Sequence, residues 1–228
     1  MARPGAGFPA PLSQRGGIMT TTTFDQGYPL SKYPIAVSVE AQVGDRNRLT
    51  TALRPILAIP HMLLVGPGAW LHRFDAAGLI GAAAYLLAIV NWFAILVTGD
   101  SIKGIRDFQL YYLRWRARAV AYMALFVDSY PPFGDGPYPA AIAVTEPTVR
   151  DRATIAVRLI LAVPHLLVLF FLVLAWVLCT VVAWFAILFT GEYPASLYPF
   201  ALGVMRWTLR VETYLLLLVD EYPPFTLD

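Results

Sequence analysis

Charge is scarce in this chain, and cysteine scarcer still. Only 14% of its 228 residues are charged, the net charge is +2, and no basic run is interleaved with aromatics in a polar setting, so nothing points to a nucleic-acid partner. Cys179 is the single cysteine. It lies in an apolar run, forms no internal disulfide and reads as a small lipid- or core-facing side chain. The chain also lacks G-x-S-x-G, H-E-x-x-H, C-x-x-C and any glycine-rich phosphate loop. No motif therefore supports an enzyme, a metal site or a cofactor. Residues 1–27 are rich in Pro, Gly, Ser and Thr and lack the apolar core of a secretory signal. They read as a disordered tail, with Met19 as an alternative start.

Apolar sequence is what the chain has in quantity, at 58% hydrophobic residues. The runs 76–99 and 159–191 carry no charge, and both exceed the roughly 20 residues that cross about 30 Å of hydrocarbon. An all-α integral membrane protein is expected.

The same blocks occur twice in the same order. YPIAVSV (33–39) answers to YPAAIAV (138–144), LRPILAIPHMLL (53–64) to VRLILAVPHLLV (157–168), NWFAILVTGD (91–100) to AWFAILFTGE (183–192), and RWRARAVAYMALFVDSYPPF (114–133) to RWTLRVETYLLLLVDEYPPF (206–225). The offset falls from about 104 residues to about 92 after the Pro-His block, so the first copy carries an insertion around GPGAWLHRFDAAG with His72 and Arg73. This divides the chain into a tail (1–27), a first repeat (28–133) and a second (134–228).

Within each repeat the alternation of Ile35, Val37 and Val39, and of Ala140, Ile142 and Val144, predicts one short strand. A helix follows, capped by Asp45 or Asn47 in one copy and by Thr148 or Asp151 in the other, with arginines 46, 48, 54 and 150, 152, 158 down its first turns. Those arginines suggest a helix lying at the membrane interface. Pro60 and Pro164, each followed by a histidine (His61, His165), are expected to kink it before the chain crosses. A second crossing ends in VDSYPPF or VDEYPPF. Asp128 and Asp220 stand as helix stops, and Tyr130, Phe133, Tyr222 and Phe225 as headgroup-depth anchors. Four transmembrane helices result, two per repeat. An even number per repeat makes the repeats parallel, related by a pseudo-two-fold along the membrane normal. The arginine bias at the start of each repeat then places both termini in the cytoplasm.

Arg114, Arg118 and Tyr122, and likewise Arg206, Arg210 and Tyr214, recur at i, i+4, i+8 and share a helical face. Each face is a candidate site for an anion or a lipid headgroup, or else pairs with acidic groups such as Asp107, Asp128, Glu212 or Asp220. Arg116 points elsewhere and has no arginine counterpart, so its loss is expected to be tolerated better than that of Arg118 or Arg210. His61 and His165 lack a second ligand three or four residues away.

The blocks LAIPH/LAVPH, WFAILxTG, RWxxR and DxYPPF resemble those of a bacterial membrane-protein family built on domain of unknown function 4389, over about residues 28–226. The family's Tyr-Pro after the WFAIL block is kept in the second repeat as GEYPASLYPF and replaced in the first by GDSIKGIRDF. The resemblance implies a tandem membrane fold and no particular activity. The expected role is a non-enzymatic scaffold or accessory subunit of a plasma-membrane complex. Its partners would be membrane lipids, a membrane protein or a second copy. A small transporter or lipid-binding protein using the arginine faces is the alternative.

Overall fold

The computed structural model describes residues 33–40, 42–66, 78–147 and 150–228. The tail, His72, Arg73 and the alternative cap Thr148 lie outside the described residues. Among the described residues the order is β1 (Ile35–Val39), α1 (Arg48–Leu57), α2 (Ile59–Val65), α3 (Gly78–Thr98), α4 (Lys103–Met123), β2 (Ala140–Val144), α5 (Arg152–Ala156), α6 (Arg158–Thr190) and α7 (Tyr198–Leu215).

Local chemistry sets the helix ends. The side chains of Asn47 and Asp151 accept the N–H groups of Leu49 and Thr50, and of Ala153 and Thr154, which would otherwise be orphaned at a helix start. Helix α1 breaks at Ala58, so Pro60 falls in the first turn of α2, where a missing N–H is harmless. Pro164 behaves differently: it lies inside α6, which runs on as one helix of 33 residues. The break in the second repeat comes earlier, at Val157, so Pro164 and His165 lie within a continuous helix and not at a break. Asp128 and Asp220 are not the terminal helical residues either. α4 and α7 end several residues sooner, at Met123 and Leu215, and two residues on Leu125 and Leu217 take left-handed φ values of 63° and 62°. There Phe126 N–H bonds Ala121 O at 3.0 Å and Leu218 N–H bonds Thr213 O at 3.1 Å, the closing bond of a Schellman turn.

The two strands pair antiparallel in a register centred on Val37 opposite Ile142. These are equivalent positions of the two repeats, so a pseudo-two-fold passes between them. The equivalent helices α4 and α7 also run antiparallel. Arg106 in the first turn of α4 reaches Leu218 O beyond the end of α7 (3.4 Å), and Arg116 at its middle meets Glu212 (2.6 Å). Phe126 beyond its end packs on Tyr198 at the start of α7, ring centroids 5.2 Å apart. The repeats are therefore not parallel as expected. The two-fold stands perpendicular to these helices, and Asp128 and Asp220 lie at opposite ends of them.

The same axis exchanges two tryptophan bonds. Trp92 Nε1 on α3 donates to Ile155 O on α5 (2.8 Å), and Trp184 Nε1 on α6 donates to Thr51 O on α1 (2.9 Å). Each repeat thus holds the opening helix of the other.

Polarity is layered from inside out. α4 is buried from Tyr112 to Tyr122 except at Arg114, and α7 from Ala201 to Tyr214 except at Arg206. The apolar helices are outermost: Leu86, Phe93, Phe170 and Phe185 are all exposed. Among the described residues α3 and α6 are long and apolar enough to cross a membrane, whereas α4 and α7 carry charge through their middles. Among the described residues, charge is thus largely inside these two helices' packing and exposed hydrocarbon lies on α3 and α6.

Because the two tryptophan bonds are symmetry equivalents, Trp92→Phe and Trp184→Phe are expected to lower stability by similar amounts. Each removes a hydrogen bond to a helix carbonyl, a net loss of about 0.5–1.5 kcal/mol. Thermal unfolding of the detergent-solubilised variants measures it; a large loss at one site alone would show that the exchange is not symmetric in energy.

Candidate functional site

The largest polar constellation is built twice, once per repeat, where α4 and α7 end. A helix leaves its last carbonyls without partners, and here arginines from the start of the same repeat fill them: Arg46 just before α1, Arg54 within α1, and Arg158 at the start of α6, directly after α5. Arg54 Nη1 donates to Tyr122 O (2.9 Å) and Val127 O (2.7 Å), and Arg46 Nη1 donates to Leu125 O (2.6 Å). In the second repeat Arg158 Nη1 donates to Tyr214 O (3.0 Å) and Val219 O (2.9 Å). The guanidinium carbons of Arg54 and Arg158 lie 4.2 and 4.3 Å from the ring centroids of Tyr122 and Tyr214, a cation-π seat.

Each cluster closes on an aspartate. Asp128 Oδ1 accepts from Arg46 Nη2 at 2.7 Å and Arg54 Nη2 at 2.8 Å, while its Oδ2 accepts the Asn47 N–H at 2.7 Å. Asp220 Oδ1 accepts from Arg150 Nη1 at 2.9 Å and Arg158 Nη2 at 3.0 Å, and its Oδ2 accepts the Asp151 N–H at 3.2 Å. Burial alone pushes the Asp128 carboxyl up. The hydrogen bonds from Arg46 and Asn47 and the charges of Arg46 and Arg54 outweigh it and hold the group below its ordinary value. The arginines read as interfacial are thus buried structural ties at Arg46, Arg54 and Arg158.

Beside each cluster sits a histidine. Trp115 Nε1 donates to His61 Nδ1 (2.9 Å) and Trp207 Nε1 to His165 Nδ1 (3.1 Å). An imidazole that accepts at Nδ1 carries its proton on Nε2 and is neutral. Phe133 stacks on His61 at 4.6 Å and Phe225 on His165 at 3.9 Å, with Tyr130 and Tyr222 tilted against the same rings at 5.0 and 4.7 Å. The YPPF segments are therefore clamped to α2 and α6 while remaining partly open to their surroundings. Among the described residues no three metal-ligating side chains converge.

The structure divides the trios that the sequence placed together. Arg118 bonds Asp135 at 3.0 Å and the Gly134 carbonyl, and Arg210 bonds the carbonyls of Thr226 (2.8 Å) and Asp228 (2.7 Å), so both are absorbed by the segments following YPPF. Tyr122 and Tyr214 belong to the arginine clusters instead. Arg114 is exposed and Arg206 half-buried, and among the described residues neither forms an ion pair with a side chain.

Arg116 corrects an expectation. It is buried, its Nε donates to Glu212 at 2.6 Å and its Nη1 to Val65 O at 2.6 Å, while Glu212 also accepts from Tyr112 OH at 2.8 Å and Tyr85 OH at 3.3 Å. This cluster joins the repeats across the axis and has no twin, because Thr208 and Val120 stand at the equivalent positions. A signal was available: each repeat holds one inner charge that the other lacks, and the two signs are opposite.

The family model for domain of unknown function DUF4389 matches residues 73–134 and 152–226, one segment in each repeat and together more than half of the chain. No curated protein and no solved structure matches the chain.

Removing one partner of the cross-repeat pair leaves a buried charge, which costs about 3–5 kcal/mol. Arg116→Leu is accordingly expected to lower the unfolding temperature far more than Arg114→Leu, whose side chain is exposed. Similar melting curves for the two would show that the pair carries no weight. A second test uses pH. The depressed Asp128 carboxyl contributes stability that is fully present above about pH 4, the unfolded value, and is lost as pH falls through its lower folded value. Asp128→Asn is expected to be less stable than the parent at pH 7 and to show a shallower acid limb in a pH series of melting temperatures.

Proposed function

The chain belongs to the family of domain of unknown function DUF4389, with the unit present twice, and on that premise we propose that it is a membrane-embedded, non-enzymatic scaffold or accessory subunit of a plasma-membrane complex. The observation that carries the reading is the use made of the arginines. Arg46, Arg54 and Arg158 are turned inward onto carboxylates and helix-end carbonyls, and buried Arg118 and Arg210 are taken up by the segments that follow YPPF. They brace the fold and are not presented to a substrate. Outward, the chain offers the apolar sides of α3 and α6, a surface suited to lipid or to the helices of another membrane protein.

A second reading, a lipid-binding or small transport protein, draws on Arg114 and Arg206. They stand on equivalent turns of α4 and α7, outside the ion-paired network, and two guanidinium groups are good ligands for phosphate. Affinity purification in mild detergent, with mass spectrometry of proteins and lipids, separates the two. Recovery of a membrane protein in fixed proportion is the expected result. Retained anionic phospholipid that disappears in Arg114→Ala and Arg206→Ala, with no protein partner, would replace the first reading by the second.

A further inference from the structure

The boundary between polar and apolar surface runs along the helices. A helix that crosses a bilayer has charge at its ends and hydrocarbon at its middle. α4 reverses this, for its exposed middle residue is Arg114, and the neighbouring Arg118 pairs with Asp135, whose side chain is 58% exposed. α7 repeats the pattern with Arg206 at its middle, partly exposed, and Arg210 bound to the exposed terminal Asp228. Upright in a membrane, these groups would face hydrocarbon at its centre, where charge is most costly.

Away from these groups, the exposed faces of α3 and α6 are apolar between their ends. On α4, Gln109 faces α3, donating to Ala84 O at 3.2 Å, and Arg114 lies about 140° around the helix from it. Beyond, α3 exposes Leu79, Leu86, Ile89, Val90, Phe93 and Val97, with no charged residue between Gly78 and Thr98. α6 does the same from Leu159 to Phe189. Its 33 residues reach roughly 50 Å at 1.5 Å per residue, against about 30 Å of hydrocarbon. That excess is no obstacle to a helix lying flat. Between the two surfaces, clamped to His61 and His165, stand Tyr130, Phe133, Tyr222 and Phe225, each between 43% and 57% exposed. Aromatic rings with that exposure suit headgroup depth.

We propose that the protein lies in one leaflet with its helices in the membrane plane. The acyl chains of that leaflet cover α3 and α6, and β1, β2, Asp135 and Asp228 face a single aqueous side. The pseudo-two-fold then stands along the membrane normal even though equivalent helices are antiparallel, and Asp128 and Asp220 sit at the same depth. The occupant of the apolar face is lipid, because the exposed faces of α3 and α6 are uncharged hydrocarbon between their ends and interfacial aromatics flank them.

The inference rests on the membrane reading, and one set of measurements tells the two apart. In the full chain carrying Cys179→Ser, single cysteines replace Asp100, Asp135, Glu192 and Asp228 and are treated with an impermeant maleimide from either side of sealed vesicles. Asp100 and Glu192 lie at opposite ends of the helices. All four are expected to react from the same side. Reaction of Asp100→Cys and Glu192→Cys from opposite sides, or silence of both Asp135→Cys and Asp228→Cys, overturns the proposal while leaving a membrane protein. Release of the parent chain by alkaline carbonate overturns the membrane reading itself. For the occupant, a fluorophore on Leu174→Cys is expected to be quenched by phospholipids bearing nitroxide on their acyl chains; no quenching would mean that protein covers the face.

Discussion

Helix ends have to be satisfied, and in this molecule that single requirement organises the polar chemistry. Just past the ends of α4 and α7 stand left-handed leucines, a backbone state that costs an L-residue about 1–2 kcal/mol and turns the last carbonyls of these helices into a small open bowl. Arg54 and Arg158 fill those bowls. Because Arg54 comes from α1 and Arg158 from the start of α6, directly after α5, one set of hydrogen bonds ties the entry helices of the unit to its end. The aspartate that follows is the counter-charge that makes burial of two guanidinium groups tolerable.

The exchanged tryptophan bonds extend this closure to the pair. Each repeat finishes its own arginine cluster, then grips the other's opening helix through Trp92 or Trp184. The strand pair centred on Val37 and Ile142 adds a third contact on the same axis. Internally closed units joined by reciprocal contacts are what a duplicated homodimer-forming unit produces.

Much of this was legible in the residues. The four matched blocks announced the duplication, the alternation at 35–39 and 140–144 announced the strands, Asn47 and Asp151 were recognisable caps, and the uncharged runs marked α3 and α6. The direction of the second unit was not legible. Aligned blocks say which residues are equivalent and nothing about how the units face, and assuming that every long helix crosses the bilayer forced a parallel arrangement. The arginines were misjudged for a related reason. Spacing places Arg114, Arg118 and Tyr122 on one face, but spacing cannot say that Tyr122 will serve Arg54 or that the chain after YPPF will fold back onto Arg118.

The lone Arg116–Glu212 pair gives the duplication a memory of order. Two copies of the first repeat would set Arg116 against Val120 with no carboxylate to meet it, and two copies of the second would bury Glu212 against Thr208. Neither half can replace the other, so a once interchangeable pair has become a matched left and right. The fusion has fixed an order: gene fission would free two unlike parts, each carrying a buried charge whose match lies on the other.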